Sequence, residues 1–287
     1  MRSSRRGLGS ETASIRAYQP GDDVRRIDWG ASARLSAVYG NDEFVVRDDY
    51  AEQARAVVLA IDTGPSMALY PESSPWLCKP LALEACAVLV SGAARAERCP
   101  LLVSAGAGVE RPERHGRRGV AQHVRGLRFD GGTDALACLL ASLPELRVPG
   151  GSFVFVLSDF LADVPEAVWR RLARCGLDVI PVVLQEPLLE RRFPAVGGAY
   201  LPIAEPLEAR KPQVTQCYKS SRLVRLSRRE ARRLRERNEQ RFAGLVRRFE
   251  SLGLDWIDAT TADATVLHRA FWEWSRARLA RRGARAA

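Results

Sequence analysis

Three observations predict a doubly wound α/β fold, with a mainly parallel sheet and helices on both of its faces. Ala56 to Ile61 (AVVLAI) is an unbroken apolar run that ends in Asp62 and the turn residues Thr63, Gly64, Pro65 and Ser66. A short apolar run closed by turn residues marks a strand buried on both faces. Ser152 to Ser158 (SFVFVLS) repeats the pattern and ends in Asp159. Between and beyond these two runs, strand-like and helix-like stretches alternate, which implies parallel strands joined by helices. Ligands of such sheets bind at the carboxyl rim, so Asp62 and Asp159 fall on the edge where function is expected.

The elements follow in chain order. Residues 1–10 read as a loose tail. Residues 11–50 carry a Pro20-Gly21-Asp22-Asp23 turn, with Pro presetting one dihedral and Gly and Asp tolerating the rest. Phe44 and Val46 suggest an extended edge strand that leads into the first core strand, Arg55 to Asp62. Lys79 to Arg95 fits an apolar helix, Leu101 to Ala105 a strand, residues 106–115 a turn with a poor strand, and Val120 to Leu127 a helix. Asp130 to Asp134 is a glycine-containing loop before a helix from Ala135 to Leu143. After the 152–158 strand come a helix at Val164 to Cys175, with Gly176 at its C-cap, and a strand at Leu177 to Leu184. Residues 186–221 are Pro-rich and irregular, with edge strands expected at Tyr200 to Ile203 and Val214 to Tyr218. Ser227 and Glu230 form a capping-box pattern for a long helix to Leu252. Leu254 to Ala259 alternates as a strand, and Asp263 caps a last helix that frays from Arg276. The segments group as an N-terminal piece, 1–54, packed on the core; an α/β domain, 55–205; and an extension, 206–287, that completes the same domain.

Composition narrows the function classes. Of 287 residues, 46% are hydrophobic and 27% charged, an ordinary globular balance. No apolar run is long enough to cross a bilayer, and the basic start MRSSRRGLGS has no apolar stretch behind it, so a cytoplasmic location is expected. The six cysteines include no C-x-x-C pair and read as small buried hydrophobes. Three scattered histidines offer no zinc-type pair. A phosphate-binding G-x-x-x-x-G-K motif is absent, as are G-x-S-x-G and H-E-x-x-H, and an enzyme is not expected. The net charge of +10 lies entirely in residues 205–287, which hold 20 basic and 10 acidic side chains. Nine arginines between Arg228 and Arg248 stud the long helix. A solvated face is the simplest reading; binding to nucleic acid or an anionic membrane surface is the lesser alternative.

Asp62, Ser66, Thr133 and Asp159 lie on three loops that a doubly wound sheet brings to one rim. Carboxylate and hydroxyl oxygens without His or Cys suit Mg²⁺ or Mn²⁺. Asp62 would supply charge, Ser66 and Thr133 neutral oxygens, and Asp159 a water-mediated contact. The bland alternative makes Asp62 a cap on the chain that follows it. The same carboxylates around Mg²⁺ would also suit a phosphoesterase, although no partner acid, base or lysine stands out.

The rim pattern resembles the metal-ion-dependent adhesion site of von Willebrand factor A domains, whose motif is Asp-x-Ser-x-Ser followed by a Thr and an Asp on separate loops. Here the first element reads Asp62-Thr63-Gly64-Pro65-Ser66, with Gly64 in place of the middle serine. Upstream, RAYQPGDDVRRIDWGASAR, Arg16 to Arg34, resembles the signature of the bacterial domain-of-unknown-function 58 family. That resemblance implies a von Willebrand A-like, Rossmann-type domain and association with AAA+ ATPases of the MoxR class in remodelling a client protein. Arg16, Tyr18, Asp22, Asp23, Arg25, Arg26, Asp28, Trp29 and Arg34 then form either a structural clamp of Arg–carboxylate pairs or the face that docks the ATPase.

Overall fold

The structure, a computed structural model, describes residues 12–19, 24, 27–40, 44–49, 55–69, 77–105, 108–110, 117–132, 134–146, 148–203 and 222–286. The chain divides into two compact units, residues 1–54 and 55–287.

In the first unit, β1 (Thr12–Ala17) pairs antiparallel with β2 (Val45–Asp49). The edge strand expected near Phe44 is therefore real, but it belongs to a two-stranded sheet of its own. Between the two strands lies a helix that the sequence pattern does not announce, α1 (Trp29–Tyr39). Only Ala31 and Ser32 of this helix are buried, so it carries almost no apolar stripe. Its ends are held locally instead. The Asp28 side chain accepts a hydrogen bond from the Ala31 N–H at 3.0 Å, and Gly40 closes it with φ of 70°.

The second unit is built on six strands: β3 (Val57–Ile61), β4 (Leu101–Ala105), β5 (Gly108–Glu110), β6 (Phe153–Ser158), β7 (Asp178–Val183) and, much later, β10 (Ile257–Asp258). Their spatial order is β10-β7-β6-β3-β4-β5, all parallel except the antiparallel edge strand β5. Numbered one to six in chain order, this is the doubly wound arrangement 3-2-1-4-5-6. The winding reverses between β3 and β6, so a crevice opens at their carboxyl ends.

Helices cover both faces because the central strands alternate their side chains between them. Val57, Leu59 and Ile61 pack with α2 (Lys79–Ala96), α3 (Arg117–Arg125) and α7 (Ala264–Ala286). Ala56, Val58 and Ala60 pack with α4 (Ala135–Ser142), α5 (Glu166–Arg174) and α6 (Arg228–Ser251). The capping box of α6 forms as expected, with the Ser227 side chain and Glu230 exchanging bonds with each other's backbone. Phe271 and Trp274 of α7 lie over Phe155, at 6.2 and 5.8 Å between ring centres, while Trp272 is exposed.

Four expectations need correction. The strand β8 (Ala199–Ile203) pairs with β9 (Arg222–Leu226) in a separate two-stranded sheet, and Val214 to Tyr218 lie outside the described residues. The alternating stretch from Leu254 to Ala259 yields only the two residues of β10; Trp256 is drawn away to pack edge-on against Phe242, at 6.2 Å between ring centres. The chain does not fray at Arg276: α7 runs on to Ala286, and Arg278 pairs with Asp178 while lying over the Phe153 and Trp274 rings. Cys78 and Cys86 are buried as read, but Cys138 and Cys175 are exposed.

Candidate functional site

Asp62 and Asp159 emerge side by side at the reversal point, directly after β3 and β6. Asp62 is 4% exposed and both of its carboxyl oxygens are already engaged. Oδ1 accepts the Gly64 N–H at 2.8 Å and Oδ2 accepts the Ser158 hydroxyl at 2.6 Å. Burial first, and the neighbouring Asp159 charge second, push its carboxyl above the ordinary aspartate value; these outweigh the two hydrogen bonds and Lys79. The short loop after Asp62 closes into a 3-10 turn, Pro65–Ala68. Gly64 has ordinary dihedrals there, and a Cβ on it would stand 3.1 Å from Asp62 Oδ1. The glycine is thus tied to a tight approach by the carboxylate rather than to a special backbone conformation.

After Asp159 the chain turns sharply. Phe160 has a φ of 49°, a left-handed conformation that non-glycine residues seldom adopt. The turn is secured on both sides: Ser158 Oγ accepts the Phe160 N–H at 2.9 Å and Asp159 Oδ1 accepts the Leu161 N–H at 3.0 Å. It also sends the Phe160 ring into a cluster with Trp169 and Phe249, at 6.2 and 5.3 Å.

The positive charge at the rim comes from a residue that the sequence pattern does not single out. Lys79, the first residue of α2, is 0% exposed. Its ammonium donates to Asp159 Oδ2 at 2.7 Å, to Glu190 Oε1 at 2.6 Å and to the Ser66 carbonyl oxygen at 3.2 Å. Burial works to strip its proton, but the charges and hydrogen bonds of Asp159 and Glu190 prevail and hold the ammonium form above the ordinary lysine value. One ammonium does not neutralise two carboxylates. Burial and the Asp159 charge push the Glu190 carboxyl upward in spite of Lys79.

Glu190 arrives from a single π turn, Pro187–Arg191, that follows β7. Much of the arginine-rich helix α6 is devoted to holding that turn. Asn238 Nδ2 donates to the Leu189 and Arg192 carbonyls, each at 2.9 Å, Arg235 donates to the Phe193 carbonyl at 2.8 Å, and Arg241 donates to the Glu190 carbonyl. Arg248 pairs with Asp163 beyond β6. Arg228, Arg229, Arg232, Arg233, Arg237 and Arg247 remain on the exposed side. The Glu186 carboxylate closes the ring by accepting the Leu77 N–H at 2.7 Å, and Gln185 Nε2 donates to the Asp159 carbonyl.

Of the four residues expected to hold a cation, Asp62 and Asp159 meet at the rim, and Ser66 contributes its backbone oxygen there. Thr133 lies outside the described residues, although its neighbour Gly131 docks on the same loop, donating its N–H to the Thr63 carbonyl at 3.1 Å. Among the described residues no three His, Cys, Asp or Glu side chains are grouped to hold a metal ion. The carboxylate oxygens of Asp62 and Asp159 are bonded to Gly64, Ser158, Leu161 and Lys79. Of the upstream segment, Tyr18 is half-buried, Asp28 caps α1, Trp29 is exposed with its ring edge-on to Phe44 at 5.9 Å, and Arg34 is exposed. Arg16 lies on β1, while Asp22, Asp23, Arg25 and Arg26 lie outside the described residues.

Beside the rim, a cleft of about 370 Å³ opens between the residues after Asp159 and helix α6. Phe160, Trp169 and Leu245 give it apolar walls, and Gln240, Arg241 and Arg248 a polar, basic edge. The Trp169 indole N–H finds no hydrogen-bond acceptor among the described residues. Gly244 lines the cleft where an added Cβ would meet nothing within 4 Å.

Among the described residues no helix is long and apolar enough to cross a membrane. Residues 14–235 match the family described as "Protein of unknown function DUF58". An uncharacterized protein of Mycobacterium tuberculosis and one of Mycobacterium bovis are each 29% identical over 215 residues, which cover 69% of this chain and 62% of theirs. The matched region thus spans about three fifths of the length of these relatives.

Proposed function

Because the chain belongs to the DUF58 family of proteins of unknown function, we propose that it is a cytoplasmic, non-enzymatic adaptor. Its contact surface is the crevice at the ends of β3 and β6 together with the adjoining cleft against α6. It works with an AAA+ ATPase of the MoxR class to remodel or mature a client protein. The observation that carries this reading is the state of the rim. Reactive-looking side chains are gathered at the winding reversal, yet each is bonded to its neighbours, so the edge is built to hold a shape rather than to turn over a substrate. A nucleophile needs a base within reach and freedom to attack. Asp62 and Asp159 are nearly sealed from solvent, whereas the cleft beside them is open, partly apolar and basic at its edge. Such a surface suits a partner segment that combines an apolar side chain with acidic groups.

The test is capture of the tagged protein from its own cells, with bound proteins identified by mass spectrometry, beside Gly244→Trp and Gln240→Glu. Gly244→Trp projects into the cleft from a position where an added Cβ meets nothing within 4 Å. The proposal expects an AAA+ ATPase with the unaltered protein and its loss from both variants. Equal capture by all three proteins would remove the cleft from the interface, and no ATPase in any of them would defeat the reading.

A further inference from the structure

We infer that the Lys79 ammonium is a built-in cation that stands where this rim would otherwise need a divalent ion, so that the site is assembled without metal. The inference rests on the adaptor reading only for what it implies about partner binding; its structural core stands on geometry alone.

A metal ion at a sheet rim would cross-link separate loops by drawing their oxygens to one centre. The Lys79 ammonium does this. Among the described residues its ammonium joins three different loops: Ser66 after β3, Asp159 after β6 and Glu190 after β7. An ammonium has three donors and can serve several oxygens at once. Its location is otherwise adverse. It is wholly buried and sits at the N-terminus of α2, where the helix dipole disfavours positive charge. A lysine is retained there by what it holds together.

The residue type agrees. The chain has only three lysines among 44 basic residues, and this site uses one of them. A compact ammonium fits a nest of three converging oxygens, whereas the planar five-donor guanidinium of arginine does not. A magnesium ion bound at about 2.1 Å would need the same oxygens and would lie against a like charge. The remaining carboxylate, Asp62, has its own two oxygens taken by Gly64 and Ser158.

The experiment uses Mn²⁺ as the probe. Free Mn²⁺ is followed by its paramagnetic resonance signal during titration of the purified protein, and melting is compared in Mn²⁺ and in chelator. The unaltered protein should withdraw no Mn²⁺ at a saturable site, and its two melting curves should superimpose. Gly64→Ser, which restores the middle hydroxyl of the adhesion motif, should behave the same way while Lys79 is present. Lys79→Ala should melt lower in chelator, bind Mn²⁺ and recover roughly 5 °C at saturation. The inference is overturned by saturable Mn²⁺ binding to the unaltered protein that Asp159→Asn abolishes, or by a folded Lys79→Ala that ignores the ion. If Lys79→Ala does not fold, the unaltered protein and Gly64→Ser still decide. The adaptor reading fails separately. An ATPase captured only in Mg²⁺ would sink the role given to Lys79 and keep the adaptor; metal-indifferent protein that captures no ATPase would do the reverse.

Discussion

Replacing Lys79 by Met isolates the charge, because the thioether chain keeps most of the buried stem and leaves little cavity. What is lost is the counter-charge to two carboxylates, at 2.7 Å from Asp159 and 2.6 Å from Glu190, in a pocket with 0% exposure of the lysine. Removing one partner of a buried pair costs about 3–5 kcal/mol, since the remaining charge stays out of water. The upper value is expected at neutral pH, where one ammonium serves two carboxylates. Against a typical total of about 5–15 kcal/mol, this is a large share of the stability. The sign of the pH dependence follows. Without the ammonium, Glu190, whose carboxyl burial already pushes upward, takes up a proton more readily in the folded chain than in the unfolded one. Folded-state carboxyl values raised in this way give stability that is present at low pH and lost as pH rises through them. The deficit of Lys79→Met should therefore shrink toward pH 5 and grow toward pH 8. Urea unfolding followed by tryptophan fluorescence at both pH values measures it. A deficit below about 1 kcal/mol, or one indifferent to pH, would refute the reasoning, because a mere packing change carries no such dependence.

Asp62→Asn should gain on the unaltered protein as pH rises. The Asp62 carboxyl is held above 3.8, chiefly by burial and then by Asp159, so its contribution is present below that value and fades as pH climbs through the raised one. Paired unfolding curves at pH 5 and pH 8 check this, and a constant difference between the two proteins would contradict it. Gly131→Ala should cost about 1–3 kcal/mol by overpacking, because the added Cβ would stand 2.8 Å from Ala135 Cβ and 3.1 Å from the Thr63 carbonyl. A neutral result in thermal melting would mean that the 130–132 loop does not dock on Thr63. Phe249→Ala should cost about 3–5 kcal/mol, since this 0%-exposed ring stands edge-on to both Phe160 and Trp169. The same substitution should raise protease cutting near Phe160, and limited proteolysis would show whether the turn after Asp159 leans on that ring.

The parts of the fold legible in the sequence are those that bury themselves completely. β3 and β6 appear as unbroken apolar runs because both faces of a central strand meet helices, and each run ends in the aspartate that reaches the rim. The capping box at Ser227 was legible because its two residues are three apart. α1 was not, since it buries only two residues and is held by caps. Trp256 misled the alternation after Leu254, because its partner Phe242 lies on α6 and not on a neighbouring strand. The site divides in the same way. Asp62 and Asp159 follow from strand ends, but Lys79 and Glu190 are 111 residues apart and meet only through tertiary packing. Glu190 lies in a Pro-rich stretch that read as irregular, and the helix α6 that fixes it read as a solvated arginine face. One signal in the sequence points to Lys79: a lysine in a chain that uses arginine almost throughout, placed at the apolar start of a helix where a positive charge is unwelcome. At Ser66 the sequence points to the hydroxyl, while the rim takes the carbonyl oxygen.

The central claim, that a lysine ammonium occupies the rim between Ser66, Asp159 and Glu190, is tested most directly by crystals of the unaltered protein soaked in Mn²⁺. Anomalous scattering at the manganese edge locates the ion without assumption. The account predicts no anomalous peak among these three residues and side-chain density that places the Lys79 ammonium within hydrogen-bond distance of Asp159 and Glu190. A manganese peak bonded to Asp62 or Asp159, with Lys79 swung away, would contradict it.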